Sequence, residues 1–176
     1  MAGTGERNDG LKFILVDKIL DLVPGKSIRA IKTLSLGEEY LADHFPGNPI
    51  MPGVMMMEAM VEAASWLLRV TENFRHSLVT LKEARNVKFV RFISPGDRLV
   101  IDAEMLRSTG PVAFFKASGS VDSSTVVSGR FELQVGNLAD RNPALAATDP
   151  AILDALKKRY LMLAAQDLQP LVNGSA

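Results

Sequence analysis

The chain has 176 residues, 47% of them hydrophobic and 23% charged, which fits one globular domain with some decoration. Its 20 basic and 20 acidic side chains cancel, so the net charge gives no support for a nucleic-acid binder, although a local basic patch is not excluded. There is no cysteine, which removes disulfides, thiolate nucleophiles and thiolate-held metals and fits a reducing, cytoplasmic setting.

Residues 1–10, MAGTGERNDG, are polar and Gly-rich. They lack the basic-then-apolar pattern of a secretory signal and read as a loose tail. Residues 13–22 are apolar up to the turn signal Pro24-Gly25, and residues 27–34 have strand-like content, so the two are expected to pair as a hairpin. A helical turn is expected over 38–42, followed by a Pro/Gly-rich loop over 44–53 and a long apolar helix over 54–70. Strands are expected over 79–90, 98–106, 112–121 and 125–135, with turns at Pro95-Gly96-Asp97, Gly110-Pro111 and Ser123-Ser124. Short connections favour antiparallel pairing. The expected fold class is α+β, a curled antiparallel sheet wrapped around the central helix, because the apolar face of the sheet must be covered.

Residues 138–176 open as an Asn/Asp/Pro/Thr-rich linker and then turn helical over 150–166. Asp149 is the candidate N-cap, Pro150 takes the first helical position, and Leu153, Leu156, Tyr160 and Leu163 share one apolar face. The expected division is a tail at 1–10, a core domain at 11–137, and a linker with a helical extension at 138–176.

The segment 54–70 reads VMMMEAMVEAASWLLRV. A membrane span needs roughly 20 apolar residues with few charges, so the two glutamates and the arginine argue for a buried helix. Glu58, Glu62, Ser65 and Arg69 fall on one narrow stripe at 3.6 residues per turn. A solvent face explains Ser65 and Arg69 as readily as a function does. Glu58 is favoured as functional, because it lies about one turn in, beside a loop that holds one of the chain's two histidines. The methionines at 51, 55, 56, 57 and 60 read as core filler that can also line a tunnel. His76 reads as a surface-loop histidine, and Phe89 and Phe92 as core, with the lining of an acyl tunnel as the alternative for either. Lys82, Arg85, Lys88, Arg91 and Arg98 read as solvated strand faces, with a basic rim for an acidic partner as the sharper alternative.

His44 to Glu58 spell HFPGNPIMPGVMMME. This segment resembles the signature of the FabZ-type (3R)-hydroxyacyl-[acyl-carrier-protein] dehydratases, with His44, Phe45, Pro46, Gly47, Pro49, Pro52, Gly53, Val54 and Glu58 matching in order and spacing. FILVDKIL and VKFVRFISPGDRLVID extend the likeness over about residues 11–137. The dehydratase/isomerase subfamily carries Asp at the acidic position, so Glu58 points to the simple dehydratases. The resemblance implies a hotdog fold and dehydration of a 3-hydroxyacyl thioester on acyl carrier protein, with no cofactor and no metal. It also implies a homodimer whose two subunits complete each site, often three dimers in a hexamer.

The chemistry calls for such residues. An acid must protonate the departing C3 hydroxyl, and a base must take the C2 proton. Histidine suits the base role near neutral pH. A carboxyl raised by apolar surroundings suits the acid role. The resemblance makes His44 and Glu58 the catalytic pair and gives the Gly53 amide to the thioester carbonyl. It gives the Ile50 carbonyl to the second His44 nitrogen, and places Phe45 and Val54 against the substrate. One departure stands out: the family's usual Gln four residues after the acid is Glu62 here. Two carboxyls at this spacing repel; if both are buried, a shared proton pushes Glu58 up, and the change either helps an acid role or signals an altered function. The competing readings are a hotdog thioesterase, which does not need the loop histidine, and a non-catalytic acyl-binding or assembly protein.

Overall fold

The computed structural model describes residues 14–43 and 47–173. Six antiparallel strands form one open sheet: β1 (Lys18–Val23), β2 (Ser27–Thr33), β3 (Leu78–Phe89), β4 (Arg98–Thr109), β5 (Val112–Val121) and β6 (Ser124–Gly136), in the order β1-β2-β4-β5-β6-β3. The hairpin expected at the start is present, closed at Val23↔Ser27 with Gly25 at φ 72° in the turn. β5 and β6 are joined by Asp122-Ser123, both in the left-handed region, which matches the twist of a two-residue hairpin.

Alternation decides which side of each strand is buried. In β5, Ala113, Phe115, Ala117 and Val121 face inward, and in β4 Leu99, Ile101 and Ala103 do. Against this face lies α2 (Gly53–Thr71), preceded by the short α1 (Tyr40–Asp43). Small residues on both sides let helix and sheet approach closely: Ala59, Ala63 and Ala64 on α2, and Ala30, Ala103, Ala113 and Ala117 on the strands, are all buried. Gly119 belongs to the same fit, since a Cβ there would meet Leu99 and Val127 side-chain atoms at 2.8 Å.

The C-terminal stretch is more structured than a linker. It forms α3 (Leu138–Arg141), a 3-10 turn at Pro143–Leu145, α4 (Asp149–Leu163), a second turn at Gln166–Leu168 and α5 (Pro170–Asn173). Tyr160 of α4 is fully buried beside Trp66 and Phe74, with ring centroids 6.3 and 5.9 Å away. Its hydroxyl donates to the Leu168 carbonyl at 3.2 Å. The Ala165 amide donates to the Ile19 carbonyl at 3.1 Å, so the extension is tied to β1 as well. Tyr160 and Leu163 are buried and Leu153 and Leu156 pack against the core, as the apolar face predicts.

Asp149 departs from the expectation. It lies inside α4, and Thr148 takes the N-cap position without a side-chain cap bond. The Asp149 carboxylate instead accepts the Leu138 and Ala139 amides at 2.9 and 3.1 Å and the Ser77 hydroxyl. It caps α3 and latches the extension to the start of β3. These three donors, the Ser77 hydroxyl first, hold the carboxyl below its usual range.

Candidate active site

The site is built around the first turns of α2. Pro52, at φ −55° and ψ 139°, stands at the N-cap with no side-chain cap, and proline is tolerated there because its missing N–H would have no helical partner. Intrahelical bonding starts with the Met55 and Met56 amides on the Pro52 carbonyl, at 2.9 and 3.3 Å. The Gly53 and Val54 amides precede it, at the positive end of a 19-residue helix dipole. The loop before the helix is fixed from the sheet side, where the Met51 amide donates to Ile93 at 2.9 Å and both Ile50 and Met51 are buried.

Glycine at position 53 has a steric reason. A Cβ there would stand 3.1 Å from the Phe89 ring, so Phe89 is packed directly on the helix start. Phe89 is nonetheless 50% exposed, Val90 and Phe92 are each 66% exposed, and Val54 is 63% exposed. This corrects the reading of Phe89 and Phe92 as core. They belong to β3 and its end, an edge strand bonded on one side only to β6. An apolar rim therefore surrounds the uncapped helix end.

Glu58 lies on this open side of α2, where the described chain leaves it exposed. Its carboxyl is raised, first by partial burial among its apolar neighbours and second by the charge of Glu62. The expected repulsion is thus present, as the smaller cause. Glu62 itself is half-buried and raised by burial, with the Leu15 amide and Arg159 pulling it back. The remaining stripe residues are not a solvent face. Ser65 donates to the Val61 carbonyl at 2.8 Å, and the half-buried Arg69 donates to the His76 carbonyl at 3.4 Å, with burial bringing its pKa down to about 10.

His44 and Phe45 lie outside the described residues, so the distance from His44 to Glu58 is not part of this geometry. What leads up to them is described, and it contains a group that sequence reasoning missed. Lys32 is on the core face of β2 and only 4% exposed. Its ammonium is bound to Glu38 Oε1 at 2.5 Å and to Asp17 Oδ1 at 3.4 Å. Asp17 also accepts the Thr33 amide at 2.6 Å. The buried ion cluster anchors residue 38, just ahead of α1 and the histidine loop, to the sheet. A buried charge is tolerated only with partners of this kind. The signal for it was the period-two position of Lys32, in line with Ile28 and Ala30.

The other basic residues are as expected. Lys82, Arg85, Lys88, Arg91 and Arg98 are all exposed, and Arg85 pairs with Glu83 and Glu132 at 2.6 and 3.4 Å. His76 is half-buried rather than fully exposed. Among the described residues no cluster of three or more His, Asp or Glu side chains is placed to hold a metal, and no helix is long and apolar enough to cross a membrane.

Comparison with known proteins agrees with this architecture. The model of the FabA-like domain matches residues 9–130. The 3-hydroxyacyl-[acyl-carrier-protein] dehydratase FabZ of Lactococcus lactis is 36% identical over 124 residues, covering 70% of this chain and 85% of the relative. FabZ of Myxococcus xanthus is 36% identical over 121 residues, covering 68% of this chain and 79% of the relative. Among solved structures, the dehydratase heterocomplex ApeI:P from Xenorhabdus doucetiae superposes with a TM-score of 0.63 at 19% identity, covering 76% of this chain and 90% of that one. That likeness is one of fold, the hotdog arrangement of a helix held in an antiparallel sheet. A family model over more than half of the chain, together with relatives above 30% identity matched over three quarters of their length, establishes that the chain belongs to the FabA-like family, with the FabZ 3-hydroxyacyl-[acyl-carrier-protein] dehydratases as its relatives.

Proposed function

We propose that the protein dehydrates (3R)-hydroxyacyl-[acyl-carrier-protein] to the trans-2-enoyl thioester in fatty-acid or related lipid biosynthesis, with His44 and Glu58 as its catalytic pair. The observation that carries the residue assignment is the position of Glu58: a carboxyl raised by apolar surroundings, on the open first turns of an uncapped helix. A raised carboxyl holds its proton more readily than an ordinary one, which suits it to act as an acid.

In the proposed step His44 takes the C2 proton. Glu58 gives its proton to the C3 hydroxyl, which leaves as water as the double bond forms. His44 ends protonated and Glu58 ionised, and exchange with solvent restores both. Negative charge developing on the thioester oxygen meets the Gly53 amide and the positive end of α2. The Ile50 carbonyl fixes the tautomer of His44, and Phe45 and Val54 line the thioester end of the substrate. No cofactor takes part in these steps.

The active unit in this reading is a homodimer, with three dimers in a hexamer as the larger form. β3 supports it: the strand is 12 residues long, is unpaired along one edge among the described residues, and with Val90 just past its end shows Leu81 and Phe89 to solvent. An edge of that length and apolarity invites pairing with a second copy. Pairing there would also cover Glu58. Residues 11–137 are the catalytic domain in this division, and the acyl carrier partner and a cytoplasmic location go with the reaction.

The test is hydration of crotonyl thioesters of acyl carrier protein and of coenzyme A, followed by loss of enoyl absorbance. Wild type is expected to hydrate, with the carrier-protein thioester preferred. His44→Ala and Glu58→Gln are each expected to lose about a hundredfold or more. Free thiol appearing without hydration would replace the reading by a thioesterase. Binding without either signal would replace it by an acyl-binding role.

A further inference from the structure

Glu62 has contacts that the dehydration chemistry does not use. Its Oε2 accepts the Leu15 amide at 2.7 Å and the Val16 amide at 3.2 Å. Its Oε1 faces Arg159 Nη2 at 3.6 Å. Three parts of the chain therefore meet at one carboxylate: the segment before β1, the central helix and α4. Glu62 and Arg159 have side chains only 16% and 25% exposed, so neither is a freely solvated charge.

Burial raises the Glu62 carboxyl, and its contacts work against that. Two main-chain donors and a guanidinium converge on it. The Trp66 indole is a further donor toward it, so hydrogen-bond donors surround the carboxylate. Arg159 is the charged group that α4 turns toward Glu62, and the segment before β1 contributes amides. On α2 itself the other charges are Glu58 and Arg69, and Arg69 is turned to the His76 carbonyl. The strands face α2 with apolar side chains, apart from Lys32, which Glu38 and Asp17 occupy. Glu58 is one helical turn from Glu62 on the same stripe.

We propose that Glu62 is a positioning residue for Glu58: held in place by the Leu15 and Val16 amides and by Arg159, its carboxyl stands one turn away, disfavours ionising both groups together and so biases Glu58 toward its acid form. The inference rests on the reading of Glu58 as the acid of the dehydration. It gives the C-terminal extension a part in the chemistry. Arg159 lies beyond residue 130, where the match to the family model ends.

The experiment compares the full chain with Glu62→Gln, Arg159→Gln and the double variant. Gln at position 62 keeps an acceptor for the two amides, and thermal melts check the fold. The Glu58 carboxyl is titrated by carbon NMR, with its signal assigned from Glu58→Gln. The pH profile of kcat/KM for crotonyl-thioester hydration is recorded beside it. In Glu62→Gln the Glu58 midpoint is expected to fall by about half a pH unit, and the rate profile to move to lower pH with it. Arg159→Gln is expected to change the Glu58 midpoint when Glu62 is present and at most half as much when it is Gln. An unmoved midpoint in Glu62→Gln overturns the inference and leaves a hydrating wild type, and with it the dehydratase reading, intact. So does an Arg159 effect of equal size in both backgrounds. A wild type that hydrates nothing overturns the dehydratase reading, and the inference falls with it.

Discussion

The two ends of the central helix are both largely apolar and are finished in opposite ways. At its start, Val54 and Glu58 are exposed, the N-cap has no capping side chain, and the adjoining β3 edge shows Phe89 and Val90 to solvent. At its far end, Trp66, Leu67, Leu68 and Val70 are buried, the Glu72 amide closes the helix on Leu68 at 2.9 Å, and Tyr160 of α4 fills the remaining space. The extension seals one end with the chain's own residues. Among the described residues the other end is left open. In the proposed reading a second subunit and an acyl thioester arrive there, and a closed helix start would exclude both.

The comparison breaks most visibly at the β3 edge. Leu81→Lys combined with Val90→Lys places two charges on the apolar edge, where a pairing strand would have to bury them. The expected outcome is a monomer by sedimentation velocity and a loss of hydration activity of about a hundredfold or more, since each site would lack half of its residues. A double variant that remains dimeric would move the contact elsewhere on the surface.

The sealed end predicts a loss of another kind. Tyr160→Ala removes a fully buried ring from between Trp66 and Phe74 and frees the Leu168 carbonyl. Large-to-small changes at such sites cost about 3–5 kcal/mol. Chemical denaturation is expected to show that loss, while kcat of the protein that remains folded changes little. A variant as stable as wild type but slow would mean that the extension acts on the site and not on the fold.

How much of this could be read in the sequence follows the range of the interactions involved. Strand and helix periods are local, so the central helix and the strands after it are found within a few residues of their expected ends, while the first strand starts five residues later than the apolar run expected over 13–22. The His44–Glu58 segment was legible because a fixed spacing carries it. Contacts across long stretches of chain were not. Lys32 was passed over, since nothing local announces Glu38 and Asp17 as its partners. Glu62 reaches amides 46 and 47 residues away. Phe89 and Phe92 read as core because they are large and apolar, but a strand at a sheet edge leaves such residues uncovered. Asp149 read as the cap of its own helix by a local rule, and a hydroxyl 72 residues away, together with the amides of another helix, claimed it instead.

That last substitution of partners gives the smallest expected effect and the one with the clearest pH signature. The Asp149 carboxyl is lowered in the folded protein, by the Ser77 hydroxyl first and then by the Leu138 and Ala139 amides. A carboxyl whose folded pKa lies below its unfolded value of about 3.9 adds stability that is fully present above that value, and loses it as the pH falls through the folded pKa. Asp149→Asn keeps an acceptor oxygen but no charge. The variant is expected to melt about 3 °C or more below wild type near neutral pH. The gap should close as the pH is taken below the ordinary aspartate range, where the wild-type side chain is protonated too. Glu58 and Glu62, whose carboxyls are raised, act on stability in the opposite sense, but they are common to both proteins and cancel in the difference. A gap that stays constant from neutral pH down to the acid limit of folding would mean that the latch depends on the shape of the Asp149 side chain and not on its charge. The extension would then be held to β3 by packing and neutral hydrogen bonds alone.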